Sequence, residues 1–116
     1  MHSLYHLIVY VPLDAADQVR KALAEAGAGR IGKYDSCSFS VRRKGRFRPL
    51  KDAVPAIGTP GSYEEVDEER IEVVVPADPK LLRPILEAVK AAHPYEEPAM
   101  HLLPMEDYHS HLDAER

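Results

Sequence analysis

The sequence predicts an α+β domain in which two helices cover one face of a mainly antiparallel sheet. Two observations carry this. Runs of alternating apolar residues mark strands at Leu4–Val11 and within 63–75, and two apolar stripes at helical spacing follow them, at 19–26 and 82–89. A third, the 116-residue length, allows about one domain with one core.

In Leu4 to Val11, Tyr5, Leu7, Val9 and Val11 alternate with Leu4, His6, Ile8 and Tyr10. Both sets are largely apolar, so this reads as a central strand covered on two sides. Pro12 stops it, and Asp14 is placed to cap a helix whose Val19, Ala22, Leu23 and Ala26 share a face. Gly27 is placed to end that helix in the left-handed conformation. Gly27 to Gly32 matches G-x-G-x-x-G, but it follows a helix and precedes a strand. A dinucleotide site needs the reverse order, so the segment reads as a glycine turn.

Ser36 to Val41 reads as a strand with Cys37, Phe39 and Val41 on one face. Lys44-Gly45 is placed to turn it into Arg46-Phe47-Arg48, which Pro49 ends. Two prolines and two glycines make Ala53 to Gly61 an ordered loop. From Tyr63 the chain is acidic, then Ile71, Val73 and Val75 alternate with Glu72 and Val74 as a strand. Asp78-Pro79 opens the second helix, with Leu82, Ile85, Leu86 and Val89 as its apolar stripe. Pro84 distorts its first turn or moves the regular helix start towards itself. Pro94 ends the helix by His93. Ala99 to Leu103 reads as the last strand, closing a single domain over 1–104, and 105–116 as a polar tail. The order is the ferredoxin-like βαβ-βαβ sandwich with an extra β-hairpin arm.

Composition narrows the function. A formal charge of -4 argues against a general nucleic-acid or anionic-membrane binder. One cysteine, Cys37, makes no internal disulfide. No apolar run approaches the ~20 residues that span a bilayer, and Met1-His2-Ser3 is not the start of a cationic leader. The expected location is the cytoplasm.

The densest group of reactive side chains is His93-Pro94-Tyr95-Glu96-Glu97-Pro98. A histidine beside carboxylates can hold a divalent metal ion, and a glutamate near a tyrosine can move protons. In an extended segment, however, Glu96 and Glu97 point to opposite faces. Three readings stay open: a rigid connector serving structure or assembly, with the charged form of His93 favoured by the helix C-terminus; a weak metal or ligand site using His93 and Glu97; and catalysis. His109 and His111, with Asp107 or Asp113, form a second and weaker metal candidate on the tail. Cys37 has no adjacent base and reads as a small buried hydrophobe rather than a nucleophile. The basic run Arg42 to Arg48 suits phosphate, but the acidic run Glu64 to Glu69 matches it in charge and is placed to pair with it across strands or between subunits.

Several phrases together resemble one family: Ala26 to Gly32, Tyr34 to Phe39, Phe47-Arg48-Pro49-Leu50, Ile57-Gly58, Glu64 to Glu68, and His93 to Ala99. From Leu4 to Pro104 the chain resembles the domain inserted into YqfO-type members of the Nif-three-like family, which bind two metals elsewhere in their chains. Ala56 and Met100-His101 depart from that family's pattern. The resemblance implies a PII/CutA-like fold that assembles into trimers through sheet edges. The expected function is therefore a non-enzymatic homo-oligomeric module for assembly, regulation or small-ligand binding. His93, Tyr95, Glu96 and Glu97 are expected near clefts between subunits, with Arg46 or Arg48 reaching towards a neighbour's acids. The alternative is a divalent-metal-binding protein using the His93–Pro98 segment.

Overall fold

A computed structural model describes residues 3–113 of the chain. Strand β1 (Leu4–Pro12) runs through a 3₁₀ turn (Leu13–Ala15) into helix α1 (Ala16–Glu25). Strands β2 (Phe39–Phe47) and β3 (Glu64–Pro76) follow, then α2 (Pro79–Ala92), β4 (Met100–Met105) and a short α3 (His109–Asp113). The four strands form one antiparallel sheet in the order β2-β3-β1-β4. Two βαβ units in this strand order are the ferredoxin-like plan.

Register decides which side chains meet. Leu7 lies opposite Val73 on one side and Leu102 on the other, and Val9 opposite Ile71 and Met100. Directly opposed residues share a face, so Leu7, Val9, Val11, Ile71, Val73 and Val75 form one apolar surface, and all six are buried. Val19 and Leu23 of α1 and Leu82, Ile85 and Val89 of α2 close over it as one core. Both helices therefore cover the same face.

The other face is different. Leu4, His6, Ile8 and Tyr10 are only half-buried, because neither helix of the core reaches that side. The two-sided cover expected for β1 is not supplied within the chain.

The ends of the elements follow local chemistry. Asp78 accepts a hydrogen bond from the Lys80 amide at 3.0 Å, with Pro79 at the first helical position. Pro84 lies inside α2, and the helix continues through it from Pro79, held by its buried stripe. Asp14 does not cap α1: it falls in the 3₁₀ turn, and Ala15 occupies the cap position without a side-chain bond. At the other end, the amides of Gly27 and Ala28 donate to the carbonyls of Ala24 and Leu23. Gly27 has a φ of 105°, the conformation this helix ending requires.

The basic run corrects the sequence reading most clearly. Lys44-Gly45 is not a turn; β2 passes straight through it, and the loop lies over 48–63. Nor do Ser36-Cys37-Ser38 belong to the strand, which starts at Phe39. Phe39 is exposed rather than covered. The ladder overrides the local turn signal because it sets Lys44 opposite Asp67 and Arg46 opposite Glu65, and both pairs close as ion pairs at 2.5 and 3.0 Å. The arm is thus the long β2–β3 hairpin. With it the Cα radius of gyration is 16.1 Å, against about 13 Å for a compact chain of this length.

Gly29 ties the segment after α1 to the sheet: its amide donates to the Val74 carbonyl at 2.8 Å, and its carbonyl accepts from the Cys37 amide at 2.9 Å. A Cβ here would lie 2.4 Å from the Cys37 carbonyl oxygen, whereas one at Gly27 meets nothing within 4 Å. Gly29→Ala is therefore expected to cost about 2 kcal/mol or more, and Gly27→Ala about 1 kcal/mol from backbone strain alone. Denaturant unfolding of both variants checks this; equal losses would contradict it.

Candidate functional site

The functional groups gather where α2 hands over to β4. His93 closes α2 with its amide donating to the Val89 carbonyl, then turns extended ahead of Pro94. Its side chain is buried, 5% exposed. Nε2 donates to the Tyr10 carbonyl across 2.6 Å, and Nδ1 accepts the Tyr95 amide at 3.1 Å. These partners fix a neutral tautomer with the proton on Nε2. Burial pushes the imidazole below its ordinary value, outweighing the upward pull of the Tyr10 carbonyl and the Glu68 charge. The helix C-terminus therefore does not hold His93 charged, as the sequence suggested: desolvation wins.

Tyr95 stacks obliquely on His93, with ring centroids 5.0 Å apart, and on Phe47 at 5.8 Å. Its hydroxyl donates to Glu68 Oε2 at 2.8 Å. Burial, and then the Glu68 carboxylate, raise its pKa, so the phenol stays protonated. Glu68 reaches this position by crossing Gly45, where a Cβ would overlap its Oε1. Glu96 Oε1 accepts the Val54 amide at 3.0 Å and pins the 48–63 loop to the connector. Glu97 lines the same space.

Together these residues border a cleft of about 250 Å³, with Tyr10, Phe47 and Tyr95 as aromatic walls and Ala56 and Ile57 from the loop. Arg46 lines it too, while bound to Glu65 of its own hairpin. Arg48 is turned away: its guanidinium lies 5.1 Å from the Tyr63 ring centre. Tyr95, Glu96, Glu97 and Arg46 thus share one cleft, with His93 behind Tyr95. Tyr10 and Glu68 were not singled out from the sequence. One is an ordinary strand residue and the other is one of five acids in the run Glu64–Glu69, so neither carries a local signal.

As placed, both nitrogens of His93 have backbone partners. Among the described residues no three His, Cys, Asp or Glu side chains converge as a metal site. On the tail, His109 pairs with Asp107 and His111 with Glu106, each at 2.6 Å, so the two imidazoles serve different carboxylates; the Asp113 side chain and 114–116 lie outside the described residues. Cys37 is half-buried, with Sγ 3.7 Å from the Asp35 carbonyl, and His93 is engaged elsewhere.

The buried neutral imidazole has a pH signature. The unfolded chain takes up a proton near the ordinary 6.5, and folded His93 only below that. Its contribution is full above pH 6.5 and is lost as pH falls, by at most about 1.4 kcal/mol per pH unit. Unfolding free energies at pH 7.5 and 5.5 should differ less in His93→Gln than in the parent chain; an equal difference would contradict the buried, neutral state.

Comparison with known proteins fits this geometry. No family model matches the chain. It is 48% identical over 97 residues to a GTP cyclohydrolase 1 type 2 homolog of Mycobacterium leprae, covering 84% of this chain and 25% of that one. It is 45% identical over 103 residues to the protein of that name from Halalkalibacterium halodurans, covering 89% and 27%. The chain thus spans about a quarter of the length of these curated relatives. Among solved structures, a Bacillus cereus protein related to NIF3 superposes with a TM-score of 0.78 at 40% identity, over 91% of this chain and 26% of the other. The divalent cation tolerance protein CutA from Archaeoglobus fulgidus superposes at 0.63 with 21% identity, over 90% and 85%, which bears on fold alone. By sequence the chain is a NIF3-like domain corresponding to about a quarter of those longer proteins, and by fold that domain is CutA-like.

Proposed function

We propose that this domain is a non-enzymatic homo-oligomeric module, a trimer, that binds a small ligand in clefts near the subunit boundaries. One observation carries the reading: the sheet face opposite the helices holds apolar side chains that the chain's own core leaves uncovered, set around a His6–Glu72–Arg70 ion-pair cluster. It presents Ile8, Tyr10 and Val74 half-buried, Phe39 at 66% exposure and Leu103 at 49%. An exposed apolar patch on a sheet is a candidate contact surface. The sheet also ends in two edges, β2 and β4, whose outer backbone groups invite another strand. Edge pairing around a three-fold axis would use both features, and the CutA-like fold favours that arrangement over a two-fold dimer.

The same geometry argues against catalysis by this domain alone, since the His93 nitrogens and the Tyr95 hydroxyl are already held by backbone and carboxylate partners. Lys44 and Arg46 of the basic strand pair with Asp67 and Glu65 of the same hairpin, which argues against a nucleic-acid role. Metal binding through His93 and Glu97 would require His93 to give up a backbone bond, and no feature of the cleft favours it. Among the described residues no helix is long and apolar enough to cross a membrane. The cytoplasm is the proposed location, on the strength of the single, unpaired-in-sequence Cys37.

Light scattering coupled to size exclusion tests the assembly. Three chain masses are expected at micromolar protein, and Phe39→Lys with Leu103→Lys should shift the mass towards one chain while leaving the circular dichroism of the fold unchanged. A single chain mass for the parent protein across the concentration range would overturn the trimer.

A further inference from the structure

The cleft beside the His93–Pro98 segment has a definite chemical character. Its walls are aromatic, with Phe47 and Tyr95 tilted at 55° to one another and Tyr10 nearby. Its charge is one-sided. Glu68, Glu96 and Glu97 line it, against the single guanidinium of Arg46. That guanidinium is already bound to Glu65, so it offers little to an anion. The carboxylates differ in commitment: Glu68 accepts the Tyr95 hydroxyl and Glu96 the Val54 amide. Glu97 has no hydrogen-bond or ion-pair partner among the described residues. A neutral phenol beside two fixed carboxylates leaves the negative excess uncompensated.

We propose that this cleft binds a small organic cation, an ammonium head on an aromatic or short apolar body, with Glu97 as its counter-charge and the Phe47–Tyr95 pair as its apolar seat. Ring faces attract a cation within about 6 Å of their centres, and the attraction grows where water is excluded. The volume, roughly eight waters' worth, suits a ligand of nine or so non-hydrogen atoms (about the size of phenethylammonium) rather than a folded partner. A bare metal ion fits poorly, because Glu68 and Glu96 are held by protein donors and, among the described residues, no three carboxylate or imidazole groups converge on one point. Aromatic walls would also be wasted on it.

The proposal names a ligand class for the cleft in the reading above, and it rests on that reading only in taking the cleft to be a binding site. Every residue the cation site uses belongs to one chain, so its occupancy and the trimer fail separately. The test is a nuclear magnetic resonance titration of the full chain with phenethylammonium, and with 3-phenylpropionate as the charge-reversed probe. Saturable shifts at Tyr95, Phe47 and Glu97 are expected with phenethylammonium at about millimolar concentration, with none from 3-phenylpropionate. Glu97→Gln, an exposed and conservative change, should weaken binding about fivefold. Equal response to the two probes, no saturation by about 20 mM, or an unchanged affinity in Glu97→Gln would each overturn the proposal. Light scattering on the same samples separates the outcomes: binding by a single-chain species would sink the trimer alone, and a trimer without binding would sink the cation site alone.

Discussion

Strand β1 places apolar side chains on both faces of the sheet, and the chain has one pair of long helices with which to cover them. Burying one Leu or Val side chain contributes about 1.5–3 kcal/mol, and the helix-covered face collects this from β1 and β3 together. The second face, with Leu4, Ile8 and Tyr10 of β1 and Phe39 and Leu103 beside them, leaves apolar area only partly buried.

The arm is held by its backbone ladder, paired from Phe39 to Phe47, rather than by a core. Lys44 and Arg46 meet Asp67 and Glu65 in the open, where each pair is worth little. Nearer the core, Glu69 is 5% exposed and would be costly alone; Arg20 of α1 reaches across to it at 2.5 Å. That bond links helix to hairpin and fixes where the arm leaves the body. The arm in turn brings Phe47 and Glu68 to Tyr95. A residue from the hairpin, one from the connector and the backbone of β1 are thus tied into one site.

Legibility in the sequence followed the range of the interactions. Leu4–Val11, the Asp78-Pro79 helix start and the Gly27 helix end are local patterns, and the structure repeats them. The turn expected at Lys44-Gly45 failed because a local signal competed with a long-range ladder, and nine facing pairs outweighed one dipeptide. Asp14 failed as a cap for a similar reason: the tight 3₁₀ turn after Pro12 displaced the helix start. At the site, the His93–Pro98 phrase showed where reactive groups are dense but not what they contact. Burial of His93 and its bond to Tyr10 span 83 positions of sequence. Glu68 was hidden in an acidic run, and only the absence of a side chain at Gly45 lets its carboxylate cross to Tyr95.

In the proposed assembly a second copy of the chain covers the open sheet face. The most direct measurement is an isotope-filtered nuclear Overhauser experiment on a sample mixing ¹³C-labelled and unlabelled chains. Contacts between chains are expected from the side chains of Ile8, Phe39 and Leu103, which face away from α1 and α2. Strong intermolecular contacts elsewhere with none from these three, or no intermolecular contacts at all, would contradict it.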